Sequence, residues 1–105
     1  MTYNTELARG ILDEGEENLS RESFKVLESL ISAALYHAGK QHSSEGQIVY
    51  KALREHRGTT FSAGRVADVL GCTHRHAHDA LHFLSAKFWL YSGECGGVKM
   101  YRFIE

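Results

Sequence analysis

FSAGRVADVLGCTHRHAHDALHFL, residues 61–84, contains two helical runs separated by three residues. Ser62 stands where its hydroxyl can cap a short helix over Ala63–Leu70. Gly71 stops that helix, at a point where the chain needs the left-handed backbone that glycine adopts without a Cβ clash. Thr73 caps the next helix, His74 to about Lys87. Val66, Leu70, Cys72, Ala77, Ala80, Leu81 and Leu84 fall at spacings that fill one shared core, and Ala67 is small where the two helices must nearly touch. Together these positions spell a helix-turn-helix. A helical hairpin beside an unrelated β-hairpin is the plainer alternative.

Downstream, the apolar period changes from helical to two. Phe88–Tyr91 and Val98–Phe103 read as aromatic-rich strands, with Gly93, Gly96 and Gly97 making the turn. Upstream, Ile48, Val49, Ala52, Leu53 and His56 are expected on the buried stripe of a helix that starts near Ser44 or Glu45 and ends at Gly58. Thr59, Thr60 and Phe61 follow as a short extended piece. Further upstream, Ser20 caps a helix carrying Phe24, Leu27, Ile31, Ala34, Leu35 and Ala38, with Gly39 as its stop. Val26, Leu30 and Ala33 widen its apolar stripe past half the girth, so it is central to the domain or shared with a second subunit. Asn4 or Thr5 caps a first helix with Leu7, Ala8, Ile11 and Leu12 on one side. Gly10 and Gly15 weaken it, and Asp13–Glu17 is expected to be solvated. A polar loop, Gln41–Ser44, separates an N-terminal extension, residues 1–43, from a domain over 44–105. The expected fold is α+β, mainly helical with a small β-hairpin.

A chain of 105 residues fits one domain. No apolar run approaches the roughly 18 residues of a membrane span, and the first ten residues do not resemble a signal peptide. Two cysteines, Cys72 and Cys95, are too few for a disulfide framework. A cytoplasmic location is expected. Net charge is −1, but it is unevenly spread. Residues 1–40 carry seven acids against four Lys and Arg; the rest carries eight Lys and Arg against six acids, with six of the seven histidines. Any nucleic-acid surface therefore belongs to the C-terminal part.

From FSAGRVADVLGCTHRHAHDALHFL through VKMYRFI, about residues 45–104, the chain resembles the winged-helix transcription-regulator superfamily. Within it, the chain is most similar to the short single-domain regulators of bacterial pilus operons. The resemblance implies a winged helix-turn-helix with extra N-terminal helices, a DNA-related regulatory role, and His74–Lys87 as the recognition helix. The chain departs from the pattern twice. Phe88 stands where a glycine usually joins recognition helix and wing, and the tip Ser92–Gly97 has no Lys or Arg. A wing that grips phosphate normally offers a cation there; Lys99 and Arg102 are the nearest.

With Ala77, Ala80, Leu81 and Leu84 turned inward, the other side of the helix carries Arg75, His78, Asp79 and His82, flanked by His74 and His76. Arg75 is the candidate base reader, since a guanidinium can bond guanine O6 and N7 together. Asp79 can accept from cytosine N4 or hold Arg75 from four residues away. Thr73, Ser62 and Arg65 lie near helix N-termini, where phosphate binds readily; Lys99 completes the candidate set. The plain alternative is a solvated helix face. His74/His78 and His78/His82 are each four apart and could in principle chelate Zn²⁺ or Ni²⁺. No carboxylate or cysteine completes a ligand set, so no metal and no cofactor are expected. Phe83, Trp89, Tyr91, Tyr101 and Phe103 are expected to pack against the N-terminal helices, or else to form an interface.

No nucleophile elbow, phosphate loop, HExxH or CxxC is present, and His78 and Asp79, as helix neighbours, point about 100° apart. An enzyme is not expected. Two functions remain: a double-stranded DNA-binding regulator, homodimeric through residues 5–38, or a winged helix that binds protein as an adaptor or inhibitor. Protonation of the helix-face histidines adds positive charge as pH falls toward the free-histidine value of about 6.5. DNA affinity is therefore predicted to be higher at pH 6 than at pH 8 in fluorescence-anisotropy titrations; equal affinity removes the histidines from the electrostatic account.

Overall fold

Ser20 opens the helix around which the molecule is arranged. Its Oγ accepts from the Ser23 amide at 3.2 Å, capping α2, Arg21–His37. The computed structural model describes residues 3–39 and 43–104. Among these residues, five helices and a small antiparallel sheet run in the order α1 (Thr5–Asn18), α2, α3 (Ser44–Arg57), β1 (Thr60–Ser62), α4 (Ala63–Leu70), α5 (His74–Ala86), β2 (Leu90–Cys95) and β3 (Val98–Phe103). The chain is thus α+β and mainly helical. None of the described helices is long and apolar enough to cross a membrane.

The wide apolar girth of α2 is covered within one chain. Val26, Leu27, Leu30, Ile31, Ala33, Ala34 and Leu35 are all buried, with α1, α3 and α5 packed around them. One core cluster runs from Tyr3 to Phe103, so burial is continuous across the boundary between residues 1–43 and 44–105. Gly46 explains how closely α3 approaches: a Cβ there would stand 2.4 Å from the Ser32 carbonyl oxygen. Ser29 Oγ bridges the same two helices, donating to Glu45 Oε1 at 2.9 Å.

Several expectations are corrected. Ile48 is 67% exposed, and His56 is exposed too. The buried stripe of α3 is rotated to Gly46, Val49 and Leu53, because the Gly46 contact fixes which side meets α2. On α1, Asn4 is the cap and Ala8, Ile11 and Gly15 are buried, while Leu7 is half exposed. Gly15, expected to weaken the helix, lies within it and seats against Leu27. Ser43 caps α3, and Gln41 and His42 of the expected polar loop lie outside the described residues.

The short piece at residue 60 becomes a third strand. β1 pairs with β3, and β3 with β2, in the order β1-β3-β2. Phe61 lies opposite Tyr101, and Leu90 opposite Phe103. Gly93 sits inside β2; the turn is Gly96–Gly97 alone, with φ of 59° and 81°, as a two-residue hairpin turn of this hand requires. Residues 91–99 are all exposed, so the hairpin stands clear of the core beyond Leu90. Tyr3 anchors its base: its hydroxyl donates to the Trp89 carbonyl at 3.1 Å, with the two rings 4.7 Å apart.

Phe88 belongs to neither α5 nor β2. Its φ is +63° and it is 70% exposed. A left-handed backbone costs a side-chain-bearing residue about 1–2 kcal/mol. Phe88→Gly is therefore predicted to raise the free energy of unfolding by about 1 kcal/mol in urea titrations; a loss of stability would mean that the ring is packed. Gly10 and Gly46 give a matched pair. Gly10→Ala, with open space at its Cβ, should stabilise α1 by about 0.5–1 kcal/mol, whereas Gly46→Ala should destabilise by about 2 kcal/mol or more through the backbone clash.

Candidate functional site

The turn between α4 and α5 is built by three residues. Gly71 takes the left-handed conformation, φ 67° and ψ 33°. Cys72 donates its amide to the Ala67 carbonyl at 3.0 Å. Thr73 Oγ1 then accepts from the His76 amide at 3.3 Å and starts α5. Ala77, Ala80, Leu81 and Leu84 of α5 are buried, which fixes the rotation of the helix about its axis. Lys87 is its C-cap rather than its last residue; the side chain meets Glu14 of α1 and lies 5.3 Å from the Phe83 ring.

That rotation leaves His74, Arg75, His78 and His82 exposed, with His76 and Asp79 half-buried. His74, His78 and His82 form a ladder along one stripe. Neighbouring ring centroids are 6.4 and 6.1 Å apart, and the planes lie within 18° and 7° of parallel. Asp79 does not hold Arg75. It lies 3.7 Å from His78 Nδ1, and among the described residues Arg75 is in no ion pair. Nor do any three or more His, Cys, Asp or Glu among the described residues gather around a point that could hold a metal ion.

The ten residues expected at the site divide between different parts of the surface. Ser62, His74, His78 and Lys99 share one groove of about 350 Å³, together with Ala63, Gly64, Gly97, Val98 and Tyr101. It runs between the α4 N-terminus, the first turns of α5 and the hairpin. Ser62 Oγ caps α4 through the Arg65 amide at 3.2 Å. Thr73 and His76 line a second groove of about 700 Å³ behind the turn, where α2 contributes Glu22, Lys25 and Ser29 and α3 contributes Glu45. Cys72 lies there too, half-buried rather than fully enclosed; burial pushes its thiol up from the usual value, with a backbone hydrogen bond acting the other way. Trp89, Tyr101 and Phe103 are core residues, whereas Tyr91 is 56% exposed, with the Arg102 guanidinium 4.8 Å above its ring.

Sequence reasoning missed Tyr101 as a site residue. Its position on the strand faces the core, and only 1% of it is exposed. Its hydroxyl is nevertheless buried with no hydrogen-bond partner among the described residues, and burial raises its pKa above the usual tyrosine value. No family model, curated protein or solved structure matches the chain.

An unpaired buried hydroxyl costs about 1–3 kcal/mol. Tyr101→Phe is therefore predicted to leave stability unchanged or to raise it by about 1 kcal/mol in thermal and urea unfolding. A clear loss would mean that the hydroxyl has a partner in solution.

Proposed function

We propose that the chain is a winged-helix regulator that binds double-stranded DNA, with α5 in the major groove. The observation that carries this reading is the uncovered face of α5. Arg75, His74, His78 and His82 have no packing duty, and His74 and His78 share a groove with Gly97, Val98 and Lys99 of a hairpin that projects from the core. The order helix, strand, helix, three-residue turn, helix, hairpin, with sheet order β1-β3-β2, supports the winged-helix assignment. Arg75 reads bases, the histidines add donors and protonatable charge, and Ser62, Arg65, Thr73 and Lys99 take backbone phosphates. Asp79, 3.7 Å from His78 Nδ1, is a candidate acceptor for a cytosine N4. No catalytic step is part of the reading.

Two copies acting on one two-fold site would compensate for the modest charge of each, with recognition helices about 34 Å apart. Because the apolar side of α2 is covered within its own chain, the exposed large apolar side chain that residues 5–38 leave for a second copy is Leu7 of α1, which is half exposed.

A protein-binding winged helix is the second reading. The favouring observation is Phe88, exposed and held in a left-handed conformation, with Ile48, Tyr91 and Val98 also largely exposed. Large exposed apolar side chains mark protein interfaces where they form a contiguous patch.

The test is a gel shift with DNA from the region upstream of the protein's own gene and excess random competitor. The wild type should give a selective shift, and Arg75→Ala should weaken it by about 1–3 kcal/mol, relaxing selectivity. No shift at low salt with folded protein would favour the protein-binding reading.

A further inference from the structure

We infer that the groove between the α4 N-terminus, the first turns of α5 and the β2–β3 hairpin is a phosphate-binding notch, with Tyr101 as a donor in its wall. The inference deepens the proposed reading, since a DNA backbone phosphate is one source of the group. A free phosphorylated small molecule is the other.

Four features converge on the notch. The first is the helix end. Ser62 Oγ takes the Arg65 amide, so the amides of Ala63 and Gly64 are left with no acceptor inside α4. A helix N-terminus with free amides attracts an anion. The second is access. Gly64 has no side chain to cover these amides; the atoms nearest to a Cβ placed there are His74 Cδ2 and Ser62 Oγ, both at 3.9 Å.

The third feature is charge. Lys99 reaches the notch from β3, 5.8 Å from the Tyr101 ring, and among the described residues it is in no ion pair. His74 and His78 line the α5 side. The acids nearby are Asp79, 3.7 Å from His78, and Glu94, across the ladder from Lys99. The fourth is Tyr101 itself. It is only 1% exposed, it is among the residues that line the notch, and its hydroxyl has no hydrogen-bond partner among the described residues. A buried donor left unsatisfied in the free protein is explained if a ligand oxygen completes it. The hydroxyl is closed off in the free protein, so a phosphate oxygen reaches it only when groups around the notch, among them the exposed His74 and His78, move aside.

The probe is inorganic phosphate, titrated into ¹⁵N-labelled protein at fixed ionic strength with chloride as the control anion. Saturable shifts are expected at the amides of Ser62–Arg65, His74–His78 and Lys99. Lys99→Ala and Tyr101→Phe should each weaken phosphate binding about tenfold, as expected for loss of a charge-assisted contact. Tyr101→Phe should do so without loss of stability, which a merely structural role would not give. Absence of shifts there, or shifts equal to those with chloride, overturns the notch. A parallel DNA titration identifies the source. If Lys99→Ala weakens DNA and phosphate binding together, the phosphate is the DNA backbone. If phosphate binds but DNA does not, the notch stands with a free phosphorylated ligand, and it is the DNA reading that fails.

Discussion

Helix α2 is enclosed by α1, α3 and α5, with Leu27, Leu30, Ala33 and Ala34 wholly removed from water. Burying side chains of this size contributes about 1.5–3 kcal/mol for each leucine, against the chain entropy lost in ordering four helices around them. The arrangement has little freedom to slide. The Gly46–Ser32 approach fixes α3 at near-backbone contact, and the Ser29–Glu45 hydrogen bond fixes its N-terminal turn. Once α2 is in place, α5 can bury only the stripe containing Ala77, Ala80, Leu81 and Leu84.

The surface of α5 follows from that constraint. A helix that turns four small or apolar residues inward must turn Arg75, His78 and His82 outward. The ladder of imidazoles is therefore a consequence of core packing as much as of the residues themselves. The same geometry places His74 and His78 beside the α4 N-terminus, so a helix dipole, a lysine and two protonatable rings meet in one groove. The acidic α1 packs on the same core helix and meets the C-terminal end of α5 through Glu14 and Lys87, and the modest net charge conceals how unevenly acids and bases divide along the chain.

Most of the C-terminal fold was legible because local chemistry and tertiary demand agree there. Ser62, Gly71 and Thr73 have a single good use each, and the structure uses each in that way. The side of α3 that faces the core was misread for a reason of contact rather than composition. Ile48 and Val49 look alike in the sequence, and only the space at Gly46 decides between them. Strand propensity points to a strand at Phe88 and turn preference to a turn at Gly93, and both yield to the place where α5 must stop and the hairpin must begin. At the candidate site, the exposed face of α5 was readable from helical period. Its division between two grooves was not, because that depends on where α2 and the hairpin lie. Tyr101 was hidden for the same reason: strand alternation marks it as core, and only the packed structure leaves its hydroxyl without a partner.

The central claim is that the outward face of α5 meets a polyanion, and the salt dependence of DNA affinity tests it most directly. Binding of the selected DNA fragment should be followed by fluorescence anisotropy from 50 to about 200 mM KCl. If several cations of α5, α4 and the hairpin neutralise phosphates, log K falls linearly with log salt, with a slope of about −0.9 for each phosphate contacted. The account predicts a slope of about −3 or steeper, which becomes shallower by about one in Lys99→Ala. A flat dependence, or no measurable binding at the lowest salt, would contradict it.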